Sequence, residues 1–270
     1  MTYESLGHLP RAPLVFSLAM IEFAPVPGMA EYAPAILEEV RQNYPDSLDY
    51  TVNSMKVSVR GGAGGFSMEN EEVPQWRAGN AEGDFGFVFG RDRVVFHTTS
   101  YKHFDDFAEK IHPILETISR IAKIDHSRSI GIRHIDNIHA IDGLDYSQIL
   151  KPGYLCPPQN GGLSPLQSRV EFIYRSELGQ LFARCYELQD HPRVPQDLFQ
   201  LAEQLPRSGL MEQVSVRFVM ADTDHIYAPR ALEKFNLDRV LNLLDRLHKQ
   251  NSLGFRAMVT EEAIAAWKKE

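Results

Sequence analysis

The chain is poor in cysteine: Cys156 and Cys185 are the whole supply in 270 residues, and neither stands in a C-x-x-C pair. A disulfide-stapled secreted scaffold and a cysteine-rich zinc site are both excluded on that count. Long hydrophobic runs are also missing. No stretch of about 18 apolar residues occurs, so no membrane span is expected. The first residues, Met1-Thr2-Tyr3-Glu4-Ser5, lack a basic segment leading into an apolar one, so no signal peptide is read. The compartment expected from these absences is cytoplasmic.

Positive charge is the minority sign. Lys and Arg number 28 against 36 Asp and Glu, giving a net charge of −8. Such a field repels phosphate backbones and disfavours general nucleic-acid binding. No Gly-Lys-Ser/Thr phosphate loop, no G-x-S-x-G elbow and no flanking signature around either cysteine is found. No cofactor is implied.

Hydrophobic residues make up 43% of the chain, enough for an ordinary core. Pro13 to Phe23 is apolar on both alternating faces and reads as a strand covered on both sides. Met29, Ala33, Ile36, Leu37 and Val40 fall at helical spacing. Alternation returns over Thr51 to Arg60, before the break Gly61 to Gly65. A hairpin follows, with Phe85, Phe87 and Phe89 on one arm and Val94 and Phe96 on the other. Phe104 to Ile118 is helical, with Pro113 expected to kink or split it. Ser127 to Ile141 is another strand.

The order β-α-β-β-β-α-β predicts an α+β fold of mostly antiparallel sheet, ferredoxin-like with one extra strand. Residues 1–142 form that unit. Residues 143–168, rich in Pro and Gly, form a linker or functional loop, and 169–270 carry a hairpin, a strand and two closing helices, all within one continuous domain or as a second one. Asn236 caps the first of these helices, with Phe235 and Val240 as a staple; Thr260 opens the second.

Candidate chemistry gathers in two places. In Ile130-Gly131-Ile132-Arg133-His134-Ile135-Asp136-Asn137, a strand period of two puts His134 and Asp136 on one face and Arg133 and Asn137 on the other. A His-Asp pair could orient a base or hold a metal; a structural role for these polar residues is the commoner case. Asp222-Thr223-Asp224-His225 follows a strand and offers two carboxylates and an imidazole, a set that also suits a turn. His248 is expected near the end of a helix, as a cap. Trp76, after the acidic loop around Glu69, is either core or an exposed anchor for a partner.

Several spaced pieces act together: Leu9-Pro10-x-Ala12-Pro13-Leu14, Ile130-Gly131-Ile132-Arg133, and a block from Leu244-Asp245-Arg246-Leu247-His248 through Phe255 to Thr260-Glu261-Glu262 and Trp267. In order and spacing they resemble a sporadically distributed bacterial and archaeal family of chains about this long, without an established function. The family's central motif reads Gly-Leu-Arg-Tyr-x-Asn. Gly131, Ile132 and Arg133 fit it; His134 stands in place of Tyr and Asp136 in place of Asn. A patchy distribution of that kind resembles that of mobile or antiviral defence-linked genes.

The expected function is a non-enzymatic module that binds a protein partner or self-associates through the loops around Glu69 to Trp76 and Gly143 to Ser168. A metal-assisted hydrolase or nuclease using His134, Asp136, Asp222, Asp224 and His225 is the alternative. So is a nucleic-acid-binding defence component with Arg128, Arg133, Arg169, Arg175, Arg184 and Arg217 on one basic face.

Overall fold

A computed structural model describes residues 9–59, 66–155 and 167–269. The glycine run at 61–65, residues 156–166 of the Pro/Gly-rich stretch with Cys156, and the first eight residues lie outside the described residues.

The first strand, β1 (Leu14–Phe23), leads into helix α1 (Met29–Val40). Two long strands follow, β2 (Asp46–Val59) and β3 (Phe66–Gly79), then β4 (Phe85–Phe89) and β5 (Arg93–Thr98). Helix α2 (Phe104–Ile121) returns the chain to β6 (His126–Ile138). A short α3 (Tyr146–Ile149) precedes the hairpin β7 (Ser168–Arg175) and β8 (Gln180–Leu188). Small elements come next: β9 (His191–Pro192), α4 (Phe199–Glu203) and β10 (Gln213–Val214). The chain closes with β11 (Phe218–Tyr227), β12 (Glu233–Lys234), α5 (Leu237–Met258) and α6 (Glu261–Trp267).

The fold is α+β, as the residue pattern implies. Ten strands form one sheet in the order β2-β3-β4-β5-β1-β6-β11-β8-β7, with β12 added beside β6. Its pairings are all antiparallel. Strands from both sides of the Pro/Gly-rich stretch share this sheet, because β6 pairs with β11.

Within it, β4-β5-β1-β6 is the strand order of a ferredoxin-like unit. Two strands, not one, are added to that unit: the hairpin β2–β3 is inserted after α1. The segment around Glu69 to Trp76, expected as a loop, is part of β3. Acidic residues and Pro74 hide the strand in the sequence, yet β3 keeps register with β2 from Asp46↔Gly79 to Val59↔Phe66. Pro74 lies within β3, opposite Thr51 of β2, without interrupting that register. Trp76 is buried and stacks on Phe89, 5.5 Å between centroids, so it is core and not an exposed anchor.

Each face of the sheet has its own cover. On one side, Ala19, Ile21, Phe87, Phe96 and Ile132 pack under α1, α2 and the first half of α5. Ile138, Ala183, Val219 and Ala221 continue that layer under α6 and the end of α5. On the other side, Phe16, Leu18, Ile135 and Met220 pack against the segment that carries α4 and β10. Helix α2 is not split at Pro113: the ring is on the exposed side, where water serves the carbonyl that loses its partner. Asn236 accepts from the Arg239 amide and Thr260 from that of Ala263, as their caps require.

The glycine of the β7–β8 turn is forced. Gly179 closes the β7–β8 turn at φ +152°, and a Cβ there would lie 2.0 Å from the Ile226 carbonyl oxygen. Gly179→Ala is expected to cost about 3 kcal/mol, from overpacking and backbone strain together; chemical denaturation against the parent chain measures it.

Candidate functional site

The central strands β6 and β11 lie side by side in register His134↔Thr223 and Asp136↔Ala221. Strand alternation then sorts their polar residues between two faces. His134, Asp136, Thr223 and His225 project towards the helices; Arg133, Asn137, Asp222 and Asp224 project to the opposite side. Asp222 to His225 is the interior of β11, not a turn after a strand. The five candidate ligands of a metal-assisted hydrolase are therefore divided by the sheet. Among the described residues no group of three or more His, Cys, Asp or Glu side chains has the geometry to hold a metal ion.

On the helix side a cavity of about 640 Å³ opens between β6, β11, the end of α5 and the segment around Tyr101. Its floor is polar. Asp136, Thr223 and Asn251 are all buried there. Asn251 donates to the Thr223 carbonyl at 3.1 Å, while its Oδ1 and the Thr223 hydroxyl have no partner among the described residues. Leu14, Phe104 and Phe255 supply apolar wall, and Lys102 and Arg256 stand at the mouth.

His134 is fixed from below by Ser17, fully buried on β1, with Oγ 2.8 Å from Nδ1. Its Nε2 meets His248 Nδ1 at 3.3 Å, and the two rings cross at 89°. Tyr101 Oη is 3.3 Å from His248 Nδ1, and Phe104 stacks on the His248 ring at 5.2 Å. His248 thus sits inside α5 and turns inward; it does not cap the helix.

Burial drives the protonation of this cluster. It holds His134 well below the usual imidazole range, helped by the neighbouring His248. His248 itself is lowered to about 4, against a partial pull from Asp245. Asp136 is raised to about 8, first by burial and then by the charge of Asp222 across the sheet. At neutral pH the floor is an uncharged carboxylic acid beside two uncharged imidazoles. An acid in that state presents a donor and an acceptor on one edge.

His225 stands apart from this cluster. Its Nδ1 donates to the Leu247 carbonyl at 3.2 Å, leaving Nε2 to accept from the Ser176 hydroxyl at 2.8 Å. Burial lowers its proton affinity. Both ring nitrogens tie the β7–β8 turn and α5 to β11.

The opposite face carries an ion-pair network. Arg133 donates through Nε and Nη2 to the two oxygens of Asp222, both at 2.8 Å, and through Nη1 to Asp197 at 2.6 Å. Arg184 reaches Asp222 at 3.1 Å and Glu171 at 2.6 Å, and Arg169 reaches Glu171 at 3.1 Å. Burial opposes the Arg133 charge, but Asp222 and Asp197 more than offset it and hold the proton more firmly than usual. Asp224, desolvated and only 3.8 Å from Arg184, is raised to about 6. Asn137 donates to the Arg193 carbonyl at 3.1 Å, while its Oδ1 has no partner among the described residues. Arg217 is engaged by Glu187 at 2.7 Å. Of the six arginines proposed for a basic face, Arg133, Arg169, Arg184 and Arg217 are neutralised by acids.

His134 and Asp136 share the cavity, as their spacing on the strand requires. Tyr101, Asn251 and Ser17 join them with no motif in the sequence around them. A signal exists for Asn251: together with His248 it lies on the Leu244–Leu247–Phe255 face of α5, where polar residues interrupt an otherwise apolar stripe.

Fold and site together define an α+β protein with a helix-covered antiparallel sheet and a polar-floored cavity beneath its longest helix. No protein-family model matches the chain, and no curated protein matches it. Among the described residues no helix is long and apolar enough to cross a membrane.

Proposed function

We propose that this chain is a binding protein whose helix-side cavity holds a small, flat, uncharged ring with an amide or amidine edge, the edge a nucleobase presents. The observation that carries this is the convergence of Asp136, Asn251 and Thr223 on the floor of a cavity walled by Phe104, Phe255 and Leu14. A volume of about 640 Å³ lies within the range of small-molecule sites. The neutral carboxyl of Asp136 matches a donor–acceptor edge. A charged group in place of the ring would face a desolvation cost that nothing of opposite charge on the floor offsets. The Lys102 and Arg256 side chains at the mouth favour a ligand with an anionic tail outside the pocket.

Catalysis is not part of this reading. The serine hydroxyl of the cavity cluster, that of Ser17, is fully buried beneath His134 and orients the ring.

Calorimetric titration with adenine, guanine, cytosine and uracil, their nucleosides and their 5′-monophosphates tests the proposal. One-to-one saturable binding of at least one base series is expected. Asp136→Leu should weaken it by about tenfold or more, because the ligand edge loses both of its bonds. Silence across the whole panel at millimolar concentration would overturn the reading.

A further inference from the structure

We propose that β7 pairs antiparallel with β7 of a second copy of this chain, joining two sheets into one. This rests on a different part of the molecule from the cavity. Strand β7 ends the sheet order and, among the described residues, bonds only to β8. The eight residues run in unbroken register from Ser168↔Glu187 to Arg175↔Gln180, without a bulge. Exposed sheet edges are usually blunted by bulges, brevity or inward charge. Here three consecutive large apolar residues stay open: Phe172 is 41% exposed, Ile173 57% and Tyr174 39%.

The sequence of this edge is complementary to itself in one register. A two-fold axis through Ile173 sets Glu171 opposite Arg175 and Phe172 opposite Tyr174, each twice, with Ile173 against its own copy. Opposite charges and aromatic pairs facing each other across strands are stabilising. Moving the axis to Phe172 would set Arg169 against Arg175. Moving it to Tyr174 would set Glu171 against Glu177. Both neighbouring registers therefore oppose like charges, so the pattern selects one alignment. That axis is normal to the sheet, so the helices of both copies stay on the same side. The paired strip is short, and the complex falls in the small, concentration-dependent class of interface.

Sedimentation velocity over a hundredfold concentration range, on the full chain, tests this. A reversible monomer–dimer equilibrium is expected. Arg175→Glu, which sets two like-charge pairs across the interface, should weaken it about tenfold. Ile173→Cys should give an oxidative cross-link that the parent and Arg169→Cys do not. All three positions lie on the exposed edge, and circular dichroism checks that the variants fold. A chain monomeric at every concentration overturns the proposal. So does a dimer that Arg175→Glu and Ile173→Lys leave unchanged, or one cross-linked equally well at Arg169.

Discussion

Replacing Asp222 with asparagine is expected to remove about 3–5 kcal/mol of stability, the range for breaking one partner out of a buried ion-pair cluster. Asp222 has no exposed surface and accepts from two guanidinium groups. Without its charge, Arg133 and Arg184 lose their common counter-ion while remaining mostly buried. The desolvation they suffered on folding is then uncompensated. Asp197→Asn supplies the contrast. Its carboxylate also bonds Arg133, but its side chain is largely exposed, and water screens what is lost; a change within about 1 kcal/mol is expected. Urea denaturation of the two variants measures both. Equal losses would show that burial does not set the value of these pairs.

The second large effect is a stability maximum near pH 6.5 that Asp136→Asn turns into a plateau. Three imidazoles are neutral in the folded chain well below their ordinary range: His97, lowered to about 3 by burial and Arg77, His248, and His134. The unfolded chain takes up their protons below about pH 6.5, so their share of stability is lost as pH falls from there towards 4. Asp136 and Asp224 work in the other direction. Their folded values, about 8 and about 6, exceed the ordinary 3.8, so the folded state binds the extra proton and stability declines as pH rises through that window. Each group contributes a slope of about 1.4 kcal/mol per pH unit. Below pH 6 these histidines, joined by His225 and His139, outweigh the two acids and stability climbs with pH. Between about 6.5 and 8 Asp136 still titrates differentially, and stability falls. Asparagine keeps the shape and cannot ionise, so the alkaline limb disappears and the variant is the more stable protein at pH 8. Thermal melts from pH 5 to 9 read the difference. An unchanged alkaline limb in Asp136→Asn would contradict the buried, neutral acid.

Much of the frame is legible in the residues because it is local. Phe85-x-Phe87-x-Phe89 can only be a strand with an apolar side, and Asn236 with Phe235 and Val240 marks a helix start wherever it occurs. The parity that puts His134 beside Asp136 and apart from Arg133 is equally local. What was hidden depends on partners far along the chain. Asp222 and Asp224 read as turn residues until Arg133 and Arg184 arrive from other strands to neutralise them. Strand β3 reads as an acidic loop until β2 lies against it. His248 resembles a helix cap because its neighbours Lys249 and Gln250 are polar; only the docking of α5 on β11 turns it inward.

The two faces of β6 and β11 are separated by a single layer of backbone. Asp136 on one side feels the negative charge of Asp222 on the other, which adds to its reluctance to ionise. A neutralising event among the arginines and acids is thereby transmitted to the proton in the cavity, with no atom moving through the wall. Reciprocity makes the traffic two-way: whatever fills the cavity and changes that proton also resets the energy of the charges behind it. The sheet is a partition that is tight to solvent and transparent to electric field.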